Sequence, residues 1–165
     1  MLRRRTERRA TERPESATLR IVAFRVGGEL YGLEISGVRE IDRMRPITRV
    51  PQALSFVEGV VNLRGAIIPV IDLGRRFGRS PIEPDRQTRI VIVSLHGQQV
   101  GLMVSAVTEV LPLAAAAVGP PPLTFEPKAR IVSGMARVKD ELISILSLER
   151  LLSVEELEQL QQSLF

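Results

Sequence analysis

The chain has 165 residues, 44% of them hydrophobic and 25% charged, the balance of an ordinary globular protein with one substantial domain or two small ones. No apolar run approaches the roughly 20 residues that cross a bilayer, and the early arginines are not followed by the apolar core of a signal peptide. The absence of cysteine excludes disulfides and thiolate metal sites, and a cytoplasmic protein is the simplest expectation.

A net charge of +4 and a pI near 10.5 point to nucleic acid only until the charge is located. Residues 1–16 hold six arginines against three glutamates, a net of +3, which leaves +1 for the rest of the chain. Residues 1–17 therefore read as a basic flexible arm, too poor in large apolar groups to order itself. The alternative is an arm that binds nucleic acid or anionic lipid.

Beyond the arm the predicted elements are mostly short strands. Leu19–Val26 and Leu30–Ile35 flank Gly27-Gly28, as a tight hairpin requires. Val38–Ile41 predicts a third strand, and Pro51–Phe56 a single helical turn. Val57–Val61 and Ala66–Ile71 flank the turn Asn62-Leu63-Arg64-Gly65. Pro69 lies inside the second of these runs and is expected at an edge or bulge, because it cannot donate to a ladder. Leu73–Phe77 reads as another helical turn. Ile90–Leu95 and Val100–Val104 then flank His96-Gly97, Val107–Leu111 follows, and Ile131–Val138 and Leu142–Leu146 flank Lys139-Asp140-Glu141. Ser153 and Glu156 form a capping box that opens a C-terminal helix over residues 153–165. Within it Val154, Leu157, Leu160 and Leu164 recur at helical spacing, an apolar stripe to pack on the strands.

The order of elements repeats. Gly28 through Ile41 matches Gly97 through Val110 at an offset of 69: both glycines, the leucine, two later aliphatics and the glutamate recur. Gly59, Leu63, Arg64, Ile67, Ile68, Val70 and Leu73 match Gly134, Val138, Lys139, Leu142, Ile143, Ile145 and Leu148 at an offset of 75. Each half thus carries about five short strands, expected to run antiparallel, and five such strands close most economically into a small barrel. The predicted architecture is mainly β: two five-stranded barrels packed side by side over residues 18–152, with exchange of strands between the halves left open. A single β-sandwich fits the repeat less well.

Catalytic machinery is thin. The lone His96 stands at a predicted turn, where a solvated surface group is expected rather than a base or ligand. Without cysteine, zinc would need mainly carboxylate ligands, an uncommon set. Glu40 and Asp42 share a strand face without an evident partner for acid–base work, and no glycine-rich loop ends in Lys-Ser or Lys-Thr. Neither enzyme chemistry nor a cofactor is expected. Small barrels also bind single-stranded nucleic acid through stacked aromatics and a basic groove. Here aromatics are 4% of residues, Trp is absent, and the cluster Arg43, Arg45 and Arg49 reads as a solvated loop or a protein contact.

The segments Gly28-Glu29-Leu30-Tyr31-Gly32-Leu33-Glu34-Ile35, Val38-Arg39-Glu40-Ile41, Pro46 through Pro51, and Gly59 through Leu73 with Arg75-Arg76-Phe77 together resemble the CheW family of chemotaxis coupling proteins. The resemblance spans about residues 18–160. It implies two SH3-like barrels and a non-enzymatic adaptor that links the tips of methyl-accepting chemoreceptors to the regulatory domain of a CheA-type histidine kinase. It implies no nucleic acid as partner, no direct membrane insertion, and a cytoplasmic protein recruited to membrane-associated receptor arrays. Because neither a receiver nor a kinase segment accompanies the domain, a stand-alone coupling protein is expected, whether for swimming or another chemosensory pathway.

The resemblance also implies sites. Val38, Glu40, Ile41, Gly59, Asn62 and Arg64 match positions that bear on receptor and kinase binding. Leu123 and Phe125, next to Pro120-Pro121-Pro122, match a second kinase-contact surface. Arg64 admits two readings: a bidentate contact to a partner carboxylate or backbone carbonyls, or an internal salt bridge that holds its turn. Gly59 also reads as a residue that needs an unusual backbone angle, and Val38 as a core residue.

Overall fold

The computed structural model describes residues 17–51, 53–121, 123 and 127–164, so the predicted arm lies, but for Ala17, outside the described residues. Ten strands follow the sequence punctuation: β1 (Thr18–Val26), β2 (Glu29–Glu34), β3 (Val38–Arg43), β4 (Val57–Leu63), β5 (Ala66–Asp72), β6 (Arg89–Leu95), β7 (Gln98–Val104), β8 (Ala106–Ala114), β9 (Val132–Val138) and β10 (Glu141–Leu146). Among the described residues three α-helices accompany them: α1 (Leu73–Arg76), α2 (Leu148–Leu151) and α3 (Val154–Leu164). The described residues of Pro51–Phe56 form turns and no helix, contrary to expectation.

The strands make two five-stranded sheets, ordered β8-β1-β2-β10-β9 and β3-β6-β7-β5-β4. Each sheet takes one hairpin from one half of the chain and three strands from the other. The physical cause lies in the links. Ser105 alone separates β7 from β8, fewer residues than any hairpin loop, so the chain runs on into the other sheet. The same exchange occurs after β2, through the 3-10 turn Ile35–Gly37. Exchange also overturns the expectation of purely antiparallel pairing. β2 runs parallel to β10 through Tyr31↔Ser144, and β5 runs parallel to β7 through Ile71↔Leu102.

Each sheet curls around its own core. Ile21, Ala23, Leu111, Ala136 and Ile143 fill the first, and Val61, Ile68, Val70, Ile90 and Met103 fill the second. A larger third core lies between them, where Phe24, Tyr31, Val91 and Leu102 meet Phe56, Phe77, Leu151, Leu157 and Leu160. Neither β3–β4 nor β8–β9 pairs as strands; an isolated antiparallel bridge closes each seam, Thr48↔Val60 in one barrel and Gly119↔Met135 in the other. Glycine makes this approach possible. A Cβ on Gly59 (φ +154°) would overlap the Thr48 carbonyl oxygen, and one on Gly134 would stand 2.8 Å from the Gly119 oxygen.

Pro69 occupies neither an edge strand nor a bulge. β5 lies between β7 and β4, and Pro69 faces Val60 just before the residues of β5 that meet β7, so no ladder bond is lost to its missing N–H. The capping box forms as expected, with Ser153 N–H donating to Glu156 Oε1 (3.0 Å) and Glu156 N–H to Ser153 Oγ (3.0 Å). Leu157 and Leu160 are buried, but Val154 is 53% exposed because the first turn of α3 projects past the core. The side chain of Leu164 lies outside the described residues.

Candidate functional site

The β4–β5 hairpin turns through Arg64 (φ 52°) and Gly65 (φ 86°), two consecutive left-handed residues that match the twist of the flanking strands. Asn62 Oδ1 accepts a hydrogen bond from the Gly65 N–H at 2.9 Å and closes the turn. From this tip Arg64 Nη1 reaches across the open seam to Glu40 Oε2 on β3, at 2.9 Å. Glu40 lies opposite Ile92 on the face that lines the barrel, at the mouth where packing ends. The arginine side chain is 75% exposed and the glutamate 27%, so one guanidinium edge is bound internally while most of the group faces outward. Ile41 points to the opposite face of β3 and is 40% exposed; Ile67, opposite Asn62, is 51% exposed.

The other sequence-predicted positions separate by role. Val38 is half-buried against the core between the barrels. Gly59 is buried beneath the Thr48 carbonyl, where the lack of a Cβ lets the seam close. Leu123 is fully exposed and follows the connector that bridges to the other barrel; Phe125 lies outside the described residues. The structure thus brings Glu40, Asn62 and Arg64 together, sets Ile41 on the reverse of the same strand, and places Val38 and Gly59 inside.

The second barrel-closing tip carries the same constellation, at positions the sequence reading does not single out. Lys139 (φ 49°) pairs with Glu109 at 3.2 Å. Val110 and Leu142 are 44% and 53% exposed. The signal was present in the repeat, which aligns Glu40 with Glu109, Ile41 with Val110, Arg64 with Lys139 and Ile67 with Leu142. Beside this tip Arg25 binds Glu141 bidentately at 2.7 and 2.9 Å. The hydrogen bonds from Arg25 hold the Glu141 carboxyl below the usual carboxylate range.

A second charged network, also missed, sits under β4. Asp72 is wholly buried; its Oδ1 accepts from the Gly74 N–H (2.8 Å) and the Arg75 N–H (3.3 Å), and its Oδ2 from the Ile82 N–H (3.1 Å). Arg75 joins Asp72 to Glu58 and donates to the Ser55 carbonyl at 3.1 Å. Arg76 donates to the Leu151 carbonyl at 2.7 Å and lies over the Phe56 ring at 4.9 Å, which fastens the C-terminal helices to the sheets. His96, exposed at its turn, stands 3.2 Å from the Leu152 carbonyl.

Among the described residues, no three histidine, cysteine or acidic groups come together to hold a metal, and no helix is long and apolar enough to cross a membrane. Phe24, Tyr31, Phe56 and Phe77 are all buried, so none of them offers a stacking face to nucleic acid. The exposed charged tips and their flanking aliphatics are suited to protein contact.

Comparison with known proteins agrees. The family model for the CheW-like domain matches residues 20–156. The chain is 32% identical over 139 residues to the chemotaxis protein CheW of Rhizobium meliloti, covering 84% of this chain and 90% of that one. It is 31% identical over 144 residues to the chemotaxis protein CheW of Klebsiella aerogenes, with 87% of each chain covered. The crystal structure of the scaffolding protein TtCheW from Thermoanaerobacter tengcongensis matches with a TM-score of 0.78 and 41% identity, over 85% of this chain and 91% of that one.

Proposed function

The chain belongs to the CheW-like family, and from that premise we propose that it is a non-catalytic adaptor of a chemosensory array. It links the cytoplasmic tips of methyl-accepting chemoreceptors to the regulatory domain of a CheA-type histidine kinase, and so couples ligand sensing to kinase activity. It works in the cytoplasm, at membrane-associated receptor arrays.

The observation that carries this reading is the Arg64 tip. An arginine held by one internal hydrogen bond and three-quarters exposed is oriented yet still able to donate outward. Adaptors need such polar groups beside aliphatic anchors, with the polar groups fixing register and the anchors excluding water. Ile67 supplies an anchor at the tip, and Ile41 supplies one on the outer face of β3. Leu123 adds an exposed apolar side chain on the far barrel, suited to a second kinase contact.

Calorimetric titration with the regulatory domain of the host's CheA-type kinase tests the proposal. Saturable binding in the micromolar range or tighter is expected. Arg64→Glu should weaken it roughly tenfold or more, as loss of a charge-assisted contact does. An exposed pair contributes only about 0–1 kcal/mol to folding, so the same variant should melt within a few degrees of the parent. The double variant Glu40→Arg/Arg64→Glu rebuilds the internal pair with its charges exchanged. It should recover stability but not binding. Recovery of binding would mean that the pair acts only by shaping the turn, and no binding by a folded parent chain would overturn the adaptor reading.

A further inference from the structure

The repeat continues past the strands into the helical turns. At the offset of 75 that relates Arg64 to Lys139, α1 corresponds to α2: Leu73 to Leu148 and Arg75 to Arg150. The surroundings of the two arginines differ in charge. Arg75 is neutralised inside the fold by Glu58 and Asp72, with the Ser55 carbonyl as a further acceptor. The positions corresponding to Glu58 and Asp72 are Ser133 and Ser147, and the one corresponding to Ser55 is Arg130. The second copy keeps the cation, replaces both anions with neutral hydroxyls and gains another cation. Ser133 donates its hydroxyl to the Ile145 carbonyl (3.2 Å), and Ser147 makes no side-chain cap to α2. Neither Arg130 nor Arg150 forms an ion pair with another described residue.

These two arginines line a cleft of about 590 Å³ together with Arg76, Ile131, Glu149, Ser153 and Glu156. Most of the other polar groups there are engaged. Arg76 is fixed by the Leu151 carbonyl and stands 3.5 Å from Glu156, whose carboxylate also accepts the Ser153 N–H. Ser153 Oγ accepts the Glu156 N–H, which leaves its own proton to donate. Among the described residues lining the cleft, Arg130 and Arg150 therefore face a single uncommitted carboxylate, that of Glu149.

We propose that this cleft binds an oxyanion, a carboxylate or phosphate group, which supplies Arg150 and Arg130 from outside with the countercharge that Glu58 and Asp72 give Arg75 from within. Guanidinium groups suit such a ligand because their planar donors match the paired oxygens of either anion. Glu149 and Ser153 set the limits of the site: the first rejects a ligand that overfills it with negative charge, and the second adds a neutral donor.

The test is calorimetry on the full chain at low salt, with pyrophosphate in one arm and a hexaglutamate peptide in the other. At least one should bind saturably. Binding of pyrophosphate alone identifies a free small anion as the source, the peptide alone an acidic protein segment, and both recognition of the oxyanion group itself. Arg150→Ser and Arg130→Ser should each weaken binding roughly tenfold, the loss of one charge-assisted hydrogen bond. Ser147→Asp keeps both arginines but restores the internal acid of the other barrel, so it should also weaken binding while raising the melting temperature. The N-terminal arginines are present in every variant and cancel from the comparison. No saturable binding of either probe, or affinities unchanged in the two arginine variants, would overturn the proposal.

Discussion

Gly59 shows how one residue can resemble a contact while acting on the backbone. Its position beneath the Thr48 carbonyl admits no Cβ, and its φ of +154° is one that side-chain-bearing residues rarely adopt. Gly59→Ala should therefore cost about 3 kcal/mol through strain and overpacking. For a chain of this size that lowers the melting temperature by about 10 °C. A variant that melts like the parent and loses only partner binding would restore Gly59 to the contact surface. Glu141 offers a second test, in pH. Its carboxyl is held low by hydrogen bonds from Arg25, so the stabilising contribution is complete above the unfolded value of about 4.3 and is lost as pH falls through the lower folded value. Carbon-detected titration should place the Glu141 midpoint below that of an ordinary glutamate, and Arg25→Gln should return it to the usual range. An ordinary midpoint in the parent chain would mean that the bidentate pair does not persist in solution. A glycine that needs an unusual backbone angle was legible in the sequence at position 59, but the Thr48 carbonyl that crowds it across a seam was not, nor was the pairing of Glu141 with Arg25, some hundred residues away.

At the scale of elements, the strands were legible because each run of aliphatics ends at a turn with its own chemistry. Gly27, His96-Gly97, Arg64-Gly65 and Lys139-Asp140 all supply left-handed backbone at hairpin tips. The capping box announced the start of α3 for the same kind of local reason. What failed was whatever depends on placement within a sheet. Pro69 looked like an edge residue because the one-dimensional pattern cannot say where β5 begins to meet β7. Val154 fitted a helical stripe, but only the packed molecule determines how far along the helix the core extends. The attachment of α3 yields a prediction of its own. Ser153→Ala removes one cap bond and should cost about 1 kcal/mol. Arg76→Ala removes the bond to the Leu151 carbonyl, the contact with Glu156 and the stacking on Phe56 together. Hydrogen exchange over residues 154–164 should rise modestly in the first variant and much more in the second, with the barrel strands unchanged. Equal exchange in both would mean that Leu157 and Leu160 alone hold the helix.

For the whole molecule, the sequence repeat gave away two similar barrels without saying which strands build which. The exchange is set by links of one to three residues, and its consequence is that neither half owns a complete sheet. Residues before the α1–β6 loop supply two strands to one barrel and three to the other, and residues after it supply the remainder. Pairings such as β1 with β8 and β5 with β7 join positions far apart in the chain, so loop-closure entropy must be met before those contacts form, and folding should be slow for the size. The stronger expectation concerns fragments. A break between Pro84 and Asp85 leaves Ile82 with the buried Asp72 it bonds and leaves Asp85 with Thr88, so both anchoring contacts in the loop survive. Each fragment alone lacks the partner strands that cover its apolar faces and should show little β-sheet circular dichroism or exchange protection. Mixed in equal amounts, they should assemble into a one-to-one complex with the native spectrum. If either fragment alone shows cooperative unfolding, the halves are autonomous after all, and each must be able to fold its own strands into one barrel.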